Sequence, residues 1–198
     1  KLGRLLRKPQ GTDAYLFTQA NADTLERDIE ILLTMWARKW GAVKGERLQA
    51  LLNADRRMLR QAYSAGTLFL PILWHEGSAI GALAVLTDGA KKAYNFYRGA
   101  RDGDFKGPSP GLMLHAYAIR HAIRSGFIRY DFLRGNEQYK YSFGCEERRI
   151  KSLVLSTRNH QNLGGSLDRR SIPRVLQRAL QLQETGQFAE AERGYRQI

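Results

Sequence analysis

The chain has 198 residues, 43% hydrophobic and 10% aromatic, which is enough to bury one main core and leave a small appendage. Its 32 Lys and Arg against 19 Asp and Glu give a formal net charge of +13, a field that draws polyanions: nucleotide phosphates, nucleic acid, anionic lipid or polysaccharide. No run approaches the roughly 18 apolar residues of a membrane span, the start lacks the apolar core of a signal peptide, and a lone Cys145 excludes an internal disulfide framework and suits a reducing cytoplasm.

The chain opens at Lys1 without a Met and stops at Ile198 inside a helical pattern, so it reads as a piece of a longer protein. Asn21 or Asp23 is placed to cap a first helix, whose apolar positions Leu25, Ile29, Leu32, Leu33, Trp36 and Trp40 recur at helical spacing up to Gly41. A second helix is predicted over 46–65, with Leu48, Leu51, Leu52, Leu59 and Tyr63 inward, so two helices precede the first strand. Three apolar runs follow at 67–74, 79–86 and 92–97. Their separators, His75-Glu76-Gly77-Ser78 and Thr87-Asp88-Gly89-Ala90, are turn chemistry that predicts an antiparallel meander. Pro71 demotes the first run towards an edge.

A Gly-rich basic loop at 99–107 leads to a helix over 110–125, with Leu112, Ala116, Ile119, Ala122 and Ile123 on its apolar side and Arg120 and Arg124 opposite. The strand at 127–133 returns through this helix and so lies parallel to the strand at 92–97. A short helix at 137–143 and a strand at 149–157 complete a mixed sheet with helices on its faces. Residues 159–170 form a linker. Over 171–198 the pattern is a helical hairpin broken at Gly186-Gln187-Phe188, resembling one tetratricopeptide repeat: Ala179, Leu182, Ala191 and Tyr195 fit its slots, while Val175 and Arg178 depart from it. A single repeat cannot bury its own apolar face and needs further repeats or a surface to dock on.

Two places carry candidate chemistry. Ser109 as N-cap, Pro110 at the first helical position and side-chain-free Gly111 leave the N–H groups of Gly111, Leu112 and Met113 accessible, a seat for a pyrophosphate to which Lys106 and Arg101 add charge; an ordinary capped helix start has the same residues. The second place is the polar knuckle that ends the aromatic strand, Asp131-Phe132-Leu133-Arg134-Gly135-Asn136-Glu137-Gln138-Tyr139-Lys140. Asp131 is read either as a base or holder for an attacking amine, or as a partner of Arg134 or a cap on the next turn. Tyr139 is placed to protonate a departing thiolate, and Lys140 to contact an acceptor or phosphate. His75, His115, His121 and His160 are dispersed without metal-ligand spacing, and Trp36, Trp40 and Trp74 read as core.

The run Trp36-Ala37-Arg38-Lys39-Trp40-Gly41, the Ser109-Pro110-Gly111 helix start, and Asp131 to Gly135 followed by Glu137, Tyr139 and Lys140 together resemble the GNAT acyltransferases of the CelD/BcsL type, a subgroup similar to the FemAB-like transferases. The resemblance covers about residues 1–157. It implies an α/β (α+β) domain over 1–158 with a GNAT-like mixed sheet, the second half of a two-lobed enzyme whose first half is a missing partner. It also implies acyl-CoA, acetyl-CoA included, as co-substrate with no metal, and transfer to an amine or hydroxyl of a sugar or cell-envelope precursor, as in polysaccharide biosynthesis. On it, Asp131, Glu137, Tyr139 and Lys140 are the catalytic candidates, Lys106, Ser109, Gly111, Leu112 and Met113 bind the cofactor, and Arg134 binds substrate. The usual phosphate loop of spaced glycines is absent, and Asn136 stands where the subgroup commonly has an acid, a role Glu137 is placed to take. Alternatives are a FemAB-like use of aminoacyl-tRNA, a non-catalytic half that recruits protein partners through the helical repeat, and polyanion binding by the basic and aromatic stretch at 92–101.

Overall fold

A computed structural model describes residues 15–150, 170–196 and 198, in two compact units, one reaching Glu146 and one beginning at Glu147. The first unit is built on a mixed sheet of β1 (Tyr15–Gln19), β2 (Leu68–Phe69), β3 (Pro71–His75), β4 (Ser78–Asp88), β5 (Ala93–Arg101) and β6 (Arg129–Asp131). The order is β1-β3-β4-β5-β6 with β2 also on β4, and every pairing is antiparallel except β5 with β6, the crossover expected from the sequence.

Side-chain alternation along the strands loads both faces of the sheet. Helices α1 (Leu25–Lys44) and α2 (Leu48–Ser64), joined by a 3-10 turn at Gly45–Arg47, pack Ile29, Leu32, Leu33, Leu52 and Leu59 with Leu70, Ile72, Ala82 and Ala84. Helix α3 (Pro110–Arg124) covers the other face, setting Leu114, Ala118 and Ala122 against Phe69, Leu73, Leu83, Val85 and Tyr94. Each fully buried Leu or Ile contributes roughly 1.5–3 kcal/mol. Two small residues at four-residue spacing let α3 lie close to the strands.

Several boundaries differ from the sequence reading. A strand, β1, precedes the helices and pairs with β3, so β3 is internal and Pro71 is not on an edge strand; it is the first residue of β3, opposite Gln19 at the end of the β1 ladder and just outside the β4 ladder, which begins at Ile72, a strand-start position that a proline tolerates. The run at 67–74 is broken at Leu70 into β2 and β3. Helix α1 continues through Gly41 to Lys44, and Asn21 caps the turn before it, its Oδ1 accepting from the N–H groups of Asp23 and Thr24. Trp36 is buried, whereas Trp40 is 37% exposed and Ile123 67% exposed, so neither of the latter is core. Leu51 lies on the outer side of its helix. Strand β5 extends through Arg101, absorbing part of the predicted loop, and only Arg129–Asp131 of the run at 127–133 joins the ladder. The short helix is α4 (Gln138–Tyr141). Arg149 and Ile150 are not in a strand, and the rest of the strand and most of the linker predicted beyond them lie outside the described residues.

In the second unit α5 (Ile172–Glu184) and α6 (Phe188–Tyr195) form a hairpin through Gly186, whose φ of +76° a glycine adopts freely. Ala179 and Ala191 are its buried residues, and the Tyr195 hydroxyl donates to Gln183 Oε1 at 2.7 Å.

Candidate active site

The parallel strands β5 and β6 stay paired through Tyr94↔Tyr130 and Asn95↔Asp131 and then part. Beyond that point β5 runs on to Arg101 against β4, and among the described residues no strand pairs with its other edge from Phe96 onward, opposite the polar knuckle. A bulge lies in the same stretch: Ala84 pairs with Arg98 and Val85 with Phe96, so Tyr97 is the extra residue. The bulge turns two successive side chains to the α1–α2 face. Tyr97 donates from its hydroxyl to Asp55 Oδ1 at 2.6 Å, and Arg98 lies over the Trp36 ring at 4.1 Å.

The knuckle is held by a single buried cation. Lys140 Nζ donates to the carbonyls of Arg134 at 2.9 Å and Gly135 at 3.2 Å and to Glu137 Oε2 at 2.8 Å, with 7% of its side chain exposed. Its three protons are thereby used within the knuckle, which corrects the expectation that it reaches an acceptor or phosphate: three acceptors converge on it because Leu133, at φ +53°, and Gly135, at φ +110°, turn the chain back. The Lys140 ammonium and the backbone N–H of Glu137 hold the Glu137 carboxyl below the usual range, which makes it a weak base. Asp131 is half-buried at the parting of the strands; its Oδ1 accepts the Leu133 N–H at 2.7 Å, the turn-capping alternative of the sequence reading. Arg134 is exposed, and its carbonyl serves Lys140.

Tyr139 is half-buried, its phenol pushed up to about 12 by burial first and then by the Glu137 carboxylate, with Cys145 acting the same way once ionised. Its ring stacks on His115 at 5.5 Å. His115, 3% exposed on α3, is held neutral by burial and by the Lys140 charge, its value lowered to about 3. The Tyr130 hydroxyl lies 2.9 Å from His115 Nδ1. Cys145 donates from Sγ to the Lys140 carbonyl, and burial raises its thiol.

At the start of α3 the expected pyrophosphate seat is smaller than the sequence suggested. Ser109 makes no side-chain cap bond, and the Met113 N–H donates to the Ser109 carbonyl at 3.1 Å as the first turn of the helix. The N–H groups of Gly111 and Leu112 remain. Apart from its chain neighbours and the backbone of its own helix, no atom of the described residues lies within 4 Å of the position a Gly111 Cβ would take, so the backbone there is open to close approach. A Cβ on Gly81 would lie 3.1 Å from the Pro110 side chain, and Gly81 pairs with Arg101, which sets this helix start beside the far end of β5. Lys106 and Arg101 are exposed and form no ion pair with a described residue.

Sequence reasoning missed Asp55, Tyr97 and Arg98, and it took His115 only as one of four dispersed histidines without metal-ligand spacing. Asp55 is 4% exposed, and Arg98 Nη2 lies 3.1 Å from its Oδ1 and 2.9 Å from its Oδ2; the second contact lacks hydrogen-bond alignment, so Oδ2 and Arg98 Nε are enclosed without a hydrogen bond. The available signal was a carboxylate at helical spacing between Leu52 and Leu59. The Tyr97–Arg98 half had no signal, because it depends on the bulge. Among the described residues no group of three or more His, Cys, Asp or Glu is gathered as metal ligands are.

Residues 2–141 match the family described as acetyltransferase (GNAT) domain. No curated protein matches the chain. Among solved structures, the chain is similar to the PaiA N-acetyltransferase of Thermoplasma acidophilum in complex with coenzyme A (12% identity, 66% of this chain and 86% of that one, TM-score 0.51). It is also similar to a GCN5-related N-acetyltransferase of Ralstonia eutropha (17%, 71% and 98%, 0.54). A third is an aminoglycoside acetyltransferase from an uncultured soil metagenomic sample in complex with sisomicin (14%, 73% and 98%, 0.51). At these identities the likeness is one of fold.

Proposed function

We propose that this chain, which belongs to the acetyltransferase (GNAT) domain family, transfers an acyl group directly from acyl-CoA to an amine, or less favourably a hydroxyl, of a sugar or cell-envelope precursor. The observation that carries the reading is the parting of β5 and β6 after Asn95↔Asp131. It leaves a strand edge, unpaired among the described residues, able to hydrogen-bond the amides of an extended thiol arm, with Asp131 and Tyr139 on the opposite side. The open backbone at Gly111 and Leu112, with Arg101 and Lys106, is the seat proposed for the pyrophosphate. The net charge of +13 suits such a co-substrate.

In this mechanism the acceptor amine attacks the thioester carbonyl carbon, a backbone N–H on the open edge of β5 stabilises the oxyanion, and the C–S bond breaks as the amide forms. Asp131, through the oxygen not used by Leu133, holds the amine and takes its proton. Tyr139 faces the departing thiolate. A phenol at about 12 is a weaker acid than a thiol near 8.5, so complete proton transfer runs uphill by roughly 5 kcal/mol. Tyr139 therefore stabilises the thiolate by donating a hydrogen bond and keeps its proton. Glu137 and Lys140 build the knuckle and do not act on substrate. The finer assignments, to the CelD/BcsL type, to the second half of a two-lobed enzyme, and of residues 171–198 to the start of a tetratricopeptide array that recruits a protein partner, rest on the motif resemblance and belong to the same proposal.

Calorimetric titration of acetyl-CoA into the chain tests the reading. Saturable binding is expected, and Gly111→Trp, whose Cβ meets no described residue outside the helix backbone, should weaken it at least about tenfold, with the melting temperature as the check that the variant stays folded. Absence of CoA binding by the unmodified chain overturns the proposal.

A further inference from the structure

We infer that His115 is a positioning residue, whose imidazole, anchored by Tyr130, fixes the ring of Tyr139 so that its hydroxyl meets the thiolate; this rests on the acyl-transfer reading above. His115 stands where α3, the sheet and the knuckle helix meet. Its ring stacks on Tyr139 at 5.5 Å with an interplanar angle of 26°, and lies edge-on to Phe96 at 4.7 Å and Phe143 at 5.8 Å, with Phe132 tilted against it at 4.9 Å. Such a ring cannot rotate without disturbing each neighbour. Tyr139, by contrast, is only half-buried, on a helix of four residues that has little stability of its own. The aim of its hydroxyl is therefore set largely by what its ring lies on.

The tautomer follows from the partner. The Tyr130 phenol keeps its proton, because burial and the neighbouring Tyr139 and Cys145 raise it well above the ordinary value. Among the described residues its hydroxyl has His115 Nδ1 as its hydrogen-bond partner. A buried O–H must donate, so Nδ1 accepts and Nε2 carries the imidazole proton. A protonated His115 has no lone pair for Tyr130 and would stand near the Lys140 cation, so the ring stays neutral and the stack stays fixed across the working range. The same helix begins at the proposed pyrophosphate seat, which ties the position of the cofactor to the aim of Tyr139 through one rigid element.

The test reads the thiol of bound CoA by its thiolate absorbance, with the spectrum of the free protein subtracted, and needs no acceptor. Donation from Tyr139 favours the thiolate, so in the unmodified chain the bound thiol should titrate about one pH unit below free CoA. The charged and ionisable groups beside His115 and Tyr139 are Tyr130, Glu137, Lys140 and Cys145, with Asp131 acting on Cys145, and the single and double variants keep all of them in place except the residue replaced. His115→Leu should return most of that difference while CoA affinity changes less than about threefold, and it should have no further effect in a Tyr139→Phe background. Tyr130→Phe, which removes only a hydroxyl, should return part of it and serves if His115→Leu does not fold. If either variant folds, binds CoA and leaves the thiol titration as in the unmodified chain, the His115 inference falls alone. An unshifted thiol in the unmodified chain removes the role of Tyr139 and that of His115 with it. If the unmodified chain does not bind CoA, the acyl-transfer reading itself falls.

Discussion

Two charged clusters lie beside strand β5 and are built from similar side chains, yet they leave opposite things undone. On the α1–α2 face Asp55, Tyr97 and Arg98 bind one another and are enclosed, the Asp55 Oδ2 contact to Arg98 being ionic without hydrogen-bond alignment, with Arg98 capped by the Trp36 ring. Beyond the open edge of β5, Lys140 is likewise enclosed, but it spends its protons on backbone carbonyls and on a Glu137 side chain that is 57% exposed. The first cluster closes the sheet onto its helices. The second shapes a loop and leaves its neighbours, Tyr139 and one oxygen of Asp131, for a ligand. A buried charge marks a scaffold where its partners are buried with it, and a site where they face water.

The contrast is sharpest in what removing a partner costs. Asp55→Ala leaves the Arg98 guanidinium buried without its anion and should lower folding stability by about 3–5 kcal/mol, read from the urea midpoint. Replacing both partners, Asp55→Leu with Arg98→Met, should recover most of the loss. A single variant of unchanged stability would mean that water reaches the pair and that the two clusters are alike.

A smaller effect separates the clusters by pH. His115 has its folded value depressed from 6.5 to about 3, so below pH 6.5 the unfolded chain binds a proton that the folded one refuses, and stability falls as the pH drops through that window. From pH 7.5 to pH 5 the loss should be about 2 kcal/mol, with His121, lowered by burial and by Arg124, adding in the same direction. His115→Leu should flatten most of this slope. Asp55→Ala should leave the slope in place while lowering the whole curve.

The difference between the clusters also explains what was legible in the sequence. The meander, the crossover helix and the parallel return could be read because turns such as Thr87-Asp88-Gly89-Ala90 and the period of α3 are local signals. The wording of the knuckle was legible as well, since Asp131 to Lys140 is one continuous run. Roles within it were not: Lys140 looks like a ligand-binding cation until Leu133 and Gly135 fold two carbonyls onto it. Strand β1 was invisible because Tyr15–Gln19 is short and pairs with residues more than fifty positions away. Arg98 reads as surface charge until the bulge at Tyr97 turns it inward.

The smallest stability effect belongs to the knuckle, and it is the most diagnostic. Lys140→Met keeps the length and apolar stem of the side chain and deletes the ammonium. Unlike Asp55, the groups it abandons can turn to solvent: Gly135 and Glu137 are exposed, and the Arg134 carbonyl lies on the same turn. The expected loss is therefore about 1 kcal/mol, near the net value of one ordinary hydrogen bond, and well below that of Asp55→Ala. Its local consequence is larger. Without the cation, the left-handed turn at Leu133 and Gly135 loses its clamp, so hydrogen exchange at the amides of residues 133–141 should accelerate while exchange in β4 and β5 stays as it was. Acceleration spread evenly over the unit would make Lys140 a part of the core like Asp55. Acceleration confined to the knuckle marks a turn held in shape by one buried cation, on which the aim of Tyr139 depends.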